Sequence, residues 1–198
     1  MNLTVLTKTY DAPQFNEKEV LRYAGCREKD EKTNELLAEC LNEVRDKLSY
    51  KVCYCEFEPQ IEGTACDFGV FKFKSKHLAH NLTGCEKTII FSATVGIEID
   101  RQIAKYSRIS PSKALMMQAI GAERIEALCD MFCADIKSGK DVVLHPRFSP
   151  GYGDLPISVQ QDIVSVLDCP KRIGVTLNDS MLMAPTKSVT AFVGLEYK

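Results

Sequence analysis

The sequence predicts a mixed fold in which helices and β-strands are interleaved along the chain. The segment 87–95, Lys-Thr-Ile-Ile-Phe-Ser-Ala-Thr-Val, is β-branched and apolar on both faces, which is typical of a central strand. A long helical period follows over residues 111–137, and another apolar stripe at helical spacing occupies residues 30–48. Neither all-α nor all-β architecture fits all three segments.

The N-terminal elements follow from capping signals and apolar spacing. Asn16 is a suitable N-cap for a short helix that ends near Ala24. We expect this helix and the one over residues 30–48 to form an N-terminal lobe. The next segments predict a strand over 50–57, a less regular strand over 67–74, and a short helix to residue 82 with Ser75 as its cap.

The C-terminal half alternates in the same way. A helical period begins at Glu98, and Ser110 with Pro111 is a start signal for the long helix, which Gly139 closes. After a loop rich in proline and glycine, the pattern predicts a helix over 158–167 that ends at Cys169-Pro170. A segment over 173–177 and a last strand over 188–195 complete the chain.

Composition excludes several classes of protein. The 198 residues are 26% charged and 45% hydrophobic, which is ordinary for a globular domain and excludes collagen, low complexity and general disorder. With 25 Lys and Arg against 27 Asp and Glu, and without a basic block, nucleic acid is not an expected partner. The longest uncharged apolar run, 88–97, is about half of the roughly 20 residues that span a bilayer, so no membrane association is expected.

The cysteines indicate a reducing compartment. The nine cysteines are an odd number without paired CxxC spacing, and residues 1–10 are too polar for a signal peptide, so we expect a cytoplasmic protein with free structural thiols. Cys53 with Cys55, and Cys129 with Cys133, could each share a face of one element. His77 and His80 could share a metal, although solvated or capping histidines are the favoured interpretation because no further ligand lies at suitable spacing.

The segment 145–154, His-Pro-Arg-Phe-Ser-Pro-Gly-Tyr-Gly-Asp, is the most informative loop. Its prolines and glycines fix a backbone that a ligand can approach closely, and Arg147 offers a fork of donors suited to a carboxylate. The same residue types also occur in plain surface turns, so two interpretations stay open at this point: a ligand site and a solvated turn.

Two motifs in register resemble a known family. Arg147-Phe-Ser-Pro-Gly-Tyr152 resembles the Arg-x-x-Pro-Gly-Tyr loop of the S-adenosylmethionine-binding activation domain of cobalamin-dependent methionine synthase. The segment 173–189 is similar to that family's Ile-Gly-x-x-Leu-Thr-Glu-Ser-x-x-Met-x-Pro-x-x-Ser-Val segment, and residues 122–130 resemble the preceding helix. The resemblance covers roughly residues 86–195.

The resemblance implies an α+β fold with a twisted antiparallel sheet flanked by helices, and S-adenosylmethionine as the bound cofactor. In that family the domain presents the sulfonium methyl group to cob(II)alamin while a flavodoxin-like donor supplies one electron. By family role Arg147 binds the methionyl carboxylate, Glu126 meets the ammonium or a nearby polar group of the ligand, the backbone of Ser149 and Gly151 contacts the adenosyl part, and Tyr152 lines the methyl end. No residue of this chain is expected to act as a catalytic base or to bind a metal.

The sequence also departs from the family pattern. It has no Asp-x-His-x-x-Gly cobalamin motif, so the corrinoid is expected on a partner, methionine synthase or its cobalamin-binding module. It lacks the family's acidic N-terminal segment and the C-terminal extension that carries a further ligand-contacting tyrosine. Whether Tyr197 replaces that tyrosine is left open by the sequence. These departures predict a free-standing reactivation subunit, a component of a methyltransferase system rather than a complete enzyme.

Residues 1–85 are expected to form the loosely matched N-terminal lobe and residues 86–198 the S-adenosylmethionine-binding core, within one structural unit. Tyr152, Asp154 and residues 181–184 are expected near the rim where a cobalamin-carrying partner docks, because they adjoin the two motifs. The alternative function is a regulatory or scaffold subunit that binds S-adenosylmethionine for another corrinoid methyltransferase.

Overall fold

The computed structural model describes residues 3–26 and 30–198. In chain order the elements are β1 (Leu6–Tyr10), α1 (Glu17–Tyr23), α2 (Glu31–Val44), β2 (Tyr50–Phe57), β3 (Gln60–Glu62), β4 (Ala65–Asp67), β5 (Lys72–Lys74), α3 (Lys76–Asn81), β6 (Lys87–Thr94), α4 (Glu98–Tyr106), α5 (Pro111–Lys137), β7 (Val142–Leu144), α6 (Val159–Val166), α7 (Cys169–Ile173), β8 (Thr176–Leu177), β9 (Met183–Ala184) and β10 (Ser188–Tyr197).

The main sheet is antiparallel throughout. Within the described ranges it has five strands in the order β1-β2-β6-β10-β7, so the strand predicted as central, β6, lies in the middle. Its residues are buried on both faces because helices cover both sides of the sheet. The expected α+β fold, an antiparallel sheet flanked by helices, is confirmed.

Two hydrophobic clusters lie on opposite faces of this sheet. Ile89, Phe91 and Ala93 of β6 point to one face, where α1, α2, α4 and the long helix α5 pack. Ile90, between them in sequence, points to the other face, where α3, α6 and α7 pack. The alternation of strand side chains therefore divides the molecule into a helix layer, the sheet and a second helix layer.

The segment before α1 is bound to α5 by a buried ion pair. Arg124, 3% exposed, pairs with Glu123 at 2.5 Å and donates to the carbonyl oxygens of Pro13 and Gln14. Glu123 also accepts from the backbone N–H of Asn16, whose own side chain caps α1 as predicted. These bonds join the start of α1 to α5, and buried residues of α1 and α2 share the hydrophobic cluster of α5, so both helices belong to the same layer as α5.

Several segments differ from the sequence prediction. The edge strands β1 and β7 were not predicted, because β1 is half exposed and polar and β7 has only three residues. Residues 67–74 are not one strand but two, since the chain turns after Asp67, whose carboxylate accepts from the N–H of Gly69. Cys169-Pro170 does not end a helix but begins α7, after Asp168 takes a left-handed φ of 49°.

In the described part of the chain, no helix is both long and apolar enough to cross a membrane.

Candidate functional site

The loop 145–154 is held against the edge of the main sheet. Phe148 and Phe192 of β10 exchange backbone hydrogen bonds of 2.9 Å in both directions. His145 precedes this bridge, with Nδ1 2.5 Å from the carbonyl oxygen of Asn81 and Nε2 3.0 Å from a carboxylate oxygen of Glu196. The bond to Glu196 raises the pKa of His145. The loop is therefore ordered along the sheet edge rather than extended into solvent.

Arg147 reaches the long helix α5 and bridges two carboxylates there. Its Nη2 atom donates to Glu126 at 2.8 Å and its Nη1 atom to Asp130 at 2.5 Å. Glu126 and Asp130 lie one helical turn apart, so their side chains share a face and the guanidinium fork spans them. The structure thus brings together two of the residues singled out from sequence, Arg147 and Glu126, and adds Asp130.

The neighbouring carboxylates determine the charge of the cluster formed by Arg147, Glu126 and Asp130. Burial lowers the pKa of Arg147, but the hydrogen bond to Asp130 and the negative charges of Asp130 and Glu126 outweigh it and raise that pKa. The guanidinium therefore stays protonated at every accessible pH, and the three side chains carry a net charge of about −1 when both carboxylates are ionised. Beneath them the buried thiol of Cys129 has a raised pKa because of desolvation, so it is neutral.

A groove lies beside this cluster, between α1 and α5. Its volume is about 610 Å³, and Glu126 and Asp130 form part of its wall. Tyr23 and Asn16 line it from α1, and Met131 lines it from α5. The groove therefore combines carboxylates with apolar surface and lies directly against the partners of Arg147.

Tyr152 occupies a different position from Arg147. Its ring is 69% exposed and meets Phe148 edge-on, with ring centroids 5.4 Å apart. Phe148 belongs to the cluster on the α3 and α6 side of the sheet, whereas Arg147 contacts α5 on the other side. Tyr152 lines a cavity of about 540 Å³ together with His77 and His80. The loop therefore presents its two most distinctive side chains to two separate concavities.

Ser149 and Gly151 shape the turn between those side chains. Ser149 is half-buried, and its carbonyl oxygen accepts from the backbone N–H of Tyr152 at 3.1 Å. Gly151 has a φ of 86°, and its N–H donates to the carbonyl oxygen of Leu155 at 2.9 Å. A side chain is disfavoured at that φ, which explains the glycine. Both residues lie at the bend of the loop.

Asp154 closes the loop by capping α3. Its carboxylate accepts from the Ser75 hydroxyl at 2.6 Å, from the N–H of Lys76 at 2.7 Å and from the N–H of His77 at 3.1 Å. The bond from Ser75, with the two backbone bonds, lowers the pKa of Asp154 to about 2. His77 also packs against Gly153, where any Cβ would collide with its imidazole ring.

The second motif forms a small hairpin that α6 supports. The Asn178 side chain accepts from the N–H groups of Ser180 and Leu182, and Met181 takes a left-handed φ of 61°. Gln160 of α6 is 5% exposed and donates to the carbonyl oxygen of Met181 at 2.7 Å. Leu182, at the tip, is 65% exposed. The expected rim residues 181–184 thus include an exposed apolar tip on a fixed backbone.

Metal ligation has no geometric support in the described residues, which contain no group of three or more His, Cys, Asp or Glu side chains able to hold an ion. His77 and His80 share one cavity without a further ligand. All nine cysteines lie within the described ranges and are free. Neither Cys53 with Cys55 nor Cys129 with Cys133 forms a disulfide.

The fold is similar to that of proteins with solved structures. No family profile and no curated protein matches this sequence. Thirteen chains of solved structures match the fold. One is a crystal structure of the MetH reactivation domain bound to AdoHcy. The TM-score is 0.70 at 14% identity, over 98% of this chain and 79% of that chain, so the two chains share a fold.

Two residues of this region were not singled out from sequence. Asp130 follows Glu126 by four residues on a predicted helix, so both carboxylates lie on one face of that helix. This spacing was the sequence signal that could have identified Asp130 as a second partner of Arg147. Gln160 gave no signal, because a single glutamine in a helix is usually solvated. Its role depends on the hairpin packing beneath α6, which only the tertiary structure shows.

Proposed function

We propose that this protein binds S-adenosylmethionine and acts as a reactivation subunit for cobalamin-dependent methionine synthase. S-adenosylmethionine would donate its methyl group in the reductive methylation of cob(II)alamin, which is bound to a separate protein. One observation carries the proposal: the likeness to the MetH reactivation domain bound to AdoHcy extends over 98% of this chain. The Arg147 motif supports it, because the loop lies on the sheet edge with its arginine fixed by two carboxylates.

The cluster of Arg147, Glu126 and Asp130 matches the amino-acid end of this ligand in its charges and in its hydrogen-bond donors and acceptors. An arginine has five N–H donors, and the bonds to Glu126 and Asp130 leave others for an incoming carboxylate. The two carboxylates suit an ammonium group. S-adenosylmethionine carries an ammonium, a carboxylate and a sulfonium, a net charge of about +1, which complements a cluster of about −1.

The ligand supplies an electrophilic methyl group. This chain binds and orients it: Arg147 holds the carboxylate, Glu126 the ammonium, and the turn at Ser149 and Gly151 the adenosyl part. Tyr152, expected from sequence at the methyl end, lies instead on the other face of the sheet from Arg147. A protein base is unnecessary because no proton has to be removed from the nucleophile, so positioning and electrostatics are the contribution of the chain. A flavodoxin-like donor delivers the electron to the partner.

The proposed partner interface includes the exposed surface around Tyr152 and Leu182, on the α3 and α6 side of the sheet, and has to extend past the turn at Ser149 to a ligand held at Arg147. Both apolar side chains are more than half exposed, at 69% and 65%, on backbone that Asp154 and Gln160 hold in place. Reactivation has to release the partner for normal turnover, so we expect a small interface of under about 1,200 Å² with micromolar or weaker affinity. The isolated chain is expected to carry no corrinoid.

The test combines binding with reactivation. S-adenosylmethionine and S-adenosylhomocysteine are titrated into the protein by calorimetry. The protein is then added to a methionine synthase without its activation domain, inactivated as cob(II)alamin, together with S-adenosylmethionine and reduced flavodoxin. We expect methylcobalamin absorbance and activity to recover only when this chain is present. A colourless absorbance spectrum of the chain alone is the control for a resident corrinoid.

Each outcome separates the two functions. Recovery that depends on the chain supports reactivation. Binding of S-adenosylmethionine without any recovery overturns reactivation and favours the regulatory subunit of another corrinoid methyltransferase. Absence of binding to either nucleoside removes both functions.

A further inference from the structure

A buried pair of thiols joins α7 to the middle of the sheet. Cys53 lies on β2 and Cys169 is the first residue of α7, and both are 0% exposed. Their sulfur atoms are 3.6 Å apart, although the residues are 116 positions apart in sequence. Thiols at this separation are in van der Waals contact, which is the starting geometry for a covalent bond between them.

The pair belongs to a polar row across the sheet. Cys53 is directly opposite Ser92 of β6, and Ser92 is directly opposite Thr190 of β10. Residues directly opposite in antiparallel strands point to the same face, so the three side chains line up beneath α6 and α7. Gln160 accepts from the Thr190 hydroxyl at 3.3 Å at the other end of the row. Cys53 therefore has polar side chains beside it within a cluster that is otherwise hydrophobic.

The two thiols have different acidities. The contact with the Cys53 thiol lowers the pKa of Cys169, and the Ser92 hydroxyl adds to this effect. The same contact with Cys169, together with burial, raises the pKa of Cys53. Cys169 is therefore the thiol that ionises first, and the thiolate is the nucleophilic form of cysteine.

Access to Cys169 depends on α7, which has a single turn of five residues. Beyond its packing, α7 is bonded to the sheet through Arg172, whose Nη1 atom donates to the Thr7 hydroxyl at 3.3 Å on the exposed edge strand. Short elements with few bonds open locally at a small fraction of the global unfolding free energy. Local opening of α7 would expose Cys169 to a small oxidant while the sheet stays folded.

We propose that Cys53 and Cys169 form a covalent modification site, at which hydrogen peroxide produces a reversible disulfide between β2 and α7. The Cys169 thiolate attacks one peroxide oxygen and becomes a sulfenic acid, releasing hydroxide. The Cys53 sulfur then attacks the Cys169 sulfur, and the hydroxyl group and the Cys53 proton leave as water. Two thiols lose two electrons to one peroxide, which becomes two waters. The sulfurs approach from 3.6 Å to about 2.05 Å.

The disulfide has two structural consequences. It closes a long loop of the chain, which restricts the unfolded state and raises the unfolding temperature. It also ties α7 covalently to β2. The last residue of α7, Ile173, begins the second motif, so the hairpin at residues 176–184 directly follows the helix that the disulfide holds in place. The site is independent of the proposed function, because none of its residues contacts the Arg147 cluster.

The experiment treats the reduced, folded, full-length protein with hydrogen peroxide and traps the remaining thiols with an alkylating agent. We expect an intact mass that is lower by two hydrogen atoms before alkylation, a proteolytic peptide that joins Cys53 to Cys169, and an unfolding midpoint raised by roughly 5 °C or more. Dithiothreitol restores the starting mass and midpoint. Cys53→Ser and Cys169→Ser should each abolish the cross-linked product.

Cys85→Ser is the matched control, because Cys85 is a half-buried thiol outside the pair and its replacement should leave the product unchanged. The peptide map of the wild-type protein decides the question even if a variant fails to fold. A product that joins other cysteines overturns the proposal, and so does sulfinic acid on Cys169 without a cross-link. An unchanged mass after the folded protein has been exposed to peroxide also overturns it.

Discussion

At the scale of single residues, Arg147 has more than one role. Its guanidinium joins the sheet-edge loop to α5 through Glu126 and Asp130, and the same group is the proposed anchor for a ligand carboxylate. A side chain that is already held by two partners loses little rotamer freedom when a ligand binds. The ion pairs therefore preorganise the arginine rather than merely stabilise the fold.

Arg147→Ala is expected to weaken S-adenosylmethionine binding by about 2 kcal/mol, or roughly 30-fold in Kd, because a charge-assisted bond to a carboxylate is lost. Arg147→Lys keeps the charge but not the fork, so it should recover only part of the affinity. Calorimetry measures both. Arg45→Ala, at an exposed arginine paired with its neighbour Asp46, is the control and should bind as wild type. Equal affinity of Arg147→Ala and wild type would contradict the assignment.

Gly121 in the middle of α5 is a second informative residue. A Cβ there would lie 2.8 Å from Cγ of Lys187 and 2.9 Å from Cγ1 of Ile99, closer than side-chain carbons normally approach. The glycine therefore allows α4 and the segment before β10 to pack closely on α5.

Gly121→Ala is expected to destabilise the protein by about 1 kcal/mol, although alanine favours a helix by about 1 kcal/mol over glycine. The overpacking cost of roughly 1–3 kcal/mol exceeds the helix gain. Urea unfolding measures the difference. Ala122→Gly, at the next position of α5, is the control that measures helix propensity there. A more stable Gly121→Ala protein would show that Lys187 moves aside freely.

At the scale of elements, the connection between the loop and α3 depends on one carboxylate. Asp154 accepts from Ser75 and from two N–H groups at the start of α3, so the loop and the helix hold each other in place. Acidic groups are favourable at that end of a helix because its N–H groups are unpaired there.

Asp154→Asn is expected to lower the unfolding midpoint at neutral pH, because the ionised carboxylate is the better acceptor for these bonds. The pKa of Asp154 is depressed to about 2 in the folded protein, against about 3.9 when unfolded. Its contribution is therefore complete above pH ~4 and is lost as the pH falls from about 4 to 2. The gap between wild type and variant should narrow over that window.

Thermal unfolding of both proteins between pH 2 and 7 measures this gap. Asp46→Asn, at an exposed carboxylate next to Arg45, is the control for the general effect of removing a charge. A gap that stays constant down to pH 2 would show that the charge of Asp154 is not the source of the stability.

At the scale of the whole molecule, residues 1–85 and 86–198 contribute to one sheet. β1 and β2 come from the first range, and β6, β10 and β7 come from the second. β2 pairs with β6 along seven residue pairs, and α1 and α2 lie in the same hydrophobic cluster as α5. The boundary expected from sequence, between residues 85 and 86, therefore separates strands that are hydrogen-bonded to each other and helices that share one hydrophobic core.

We expect a single cooperative unfolding transition, in which far-ultraviolet circular dichroism and tyrosine fluorescence coincide. We expect the fragment 86–198 to be unfolded on its own, because removal of β2 leaves the central strand β6 with an open edge and an uncovered face. Denaturant titration of the full chain and circular dichroism of the fragment test this. Two separate transitions, or a folded fragment, would support independent lobes.

Local signals determined much of this structure from sequence. The predicted caps at Asn16 and Ser75 accept the hydrogen bonds that such residues make at helix starts. The apolar segment 87–95 is the central strand, and the period after Ser110 is the long helix, with its bounds nearly as predicted. These features depend on the side chains of a few neighbouring residues, so the sequence contains them.

The edge strands and the site geometry were decided only by the tertiary structure. β1 and β7 form because a paired neighbour supplies their hydrogen bonds, a cause that is distant in sequence. The sequence placed Arg147 and Tyr152 together in one loop, yet the strand-like backbone at Phe148 sends them to opposite faces of the sheet. Asp130, Gln160 and the Cys53–Cys169 contact depend likewise on packing between distant segments, and no local pattern reports such contacts.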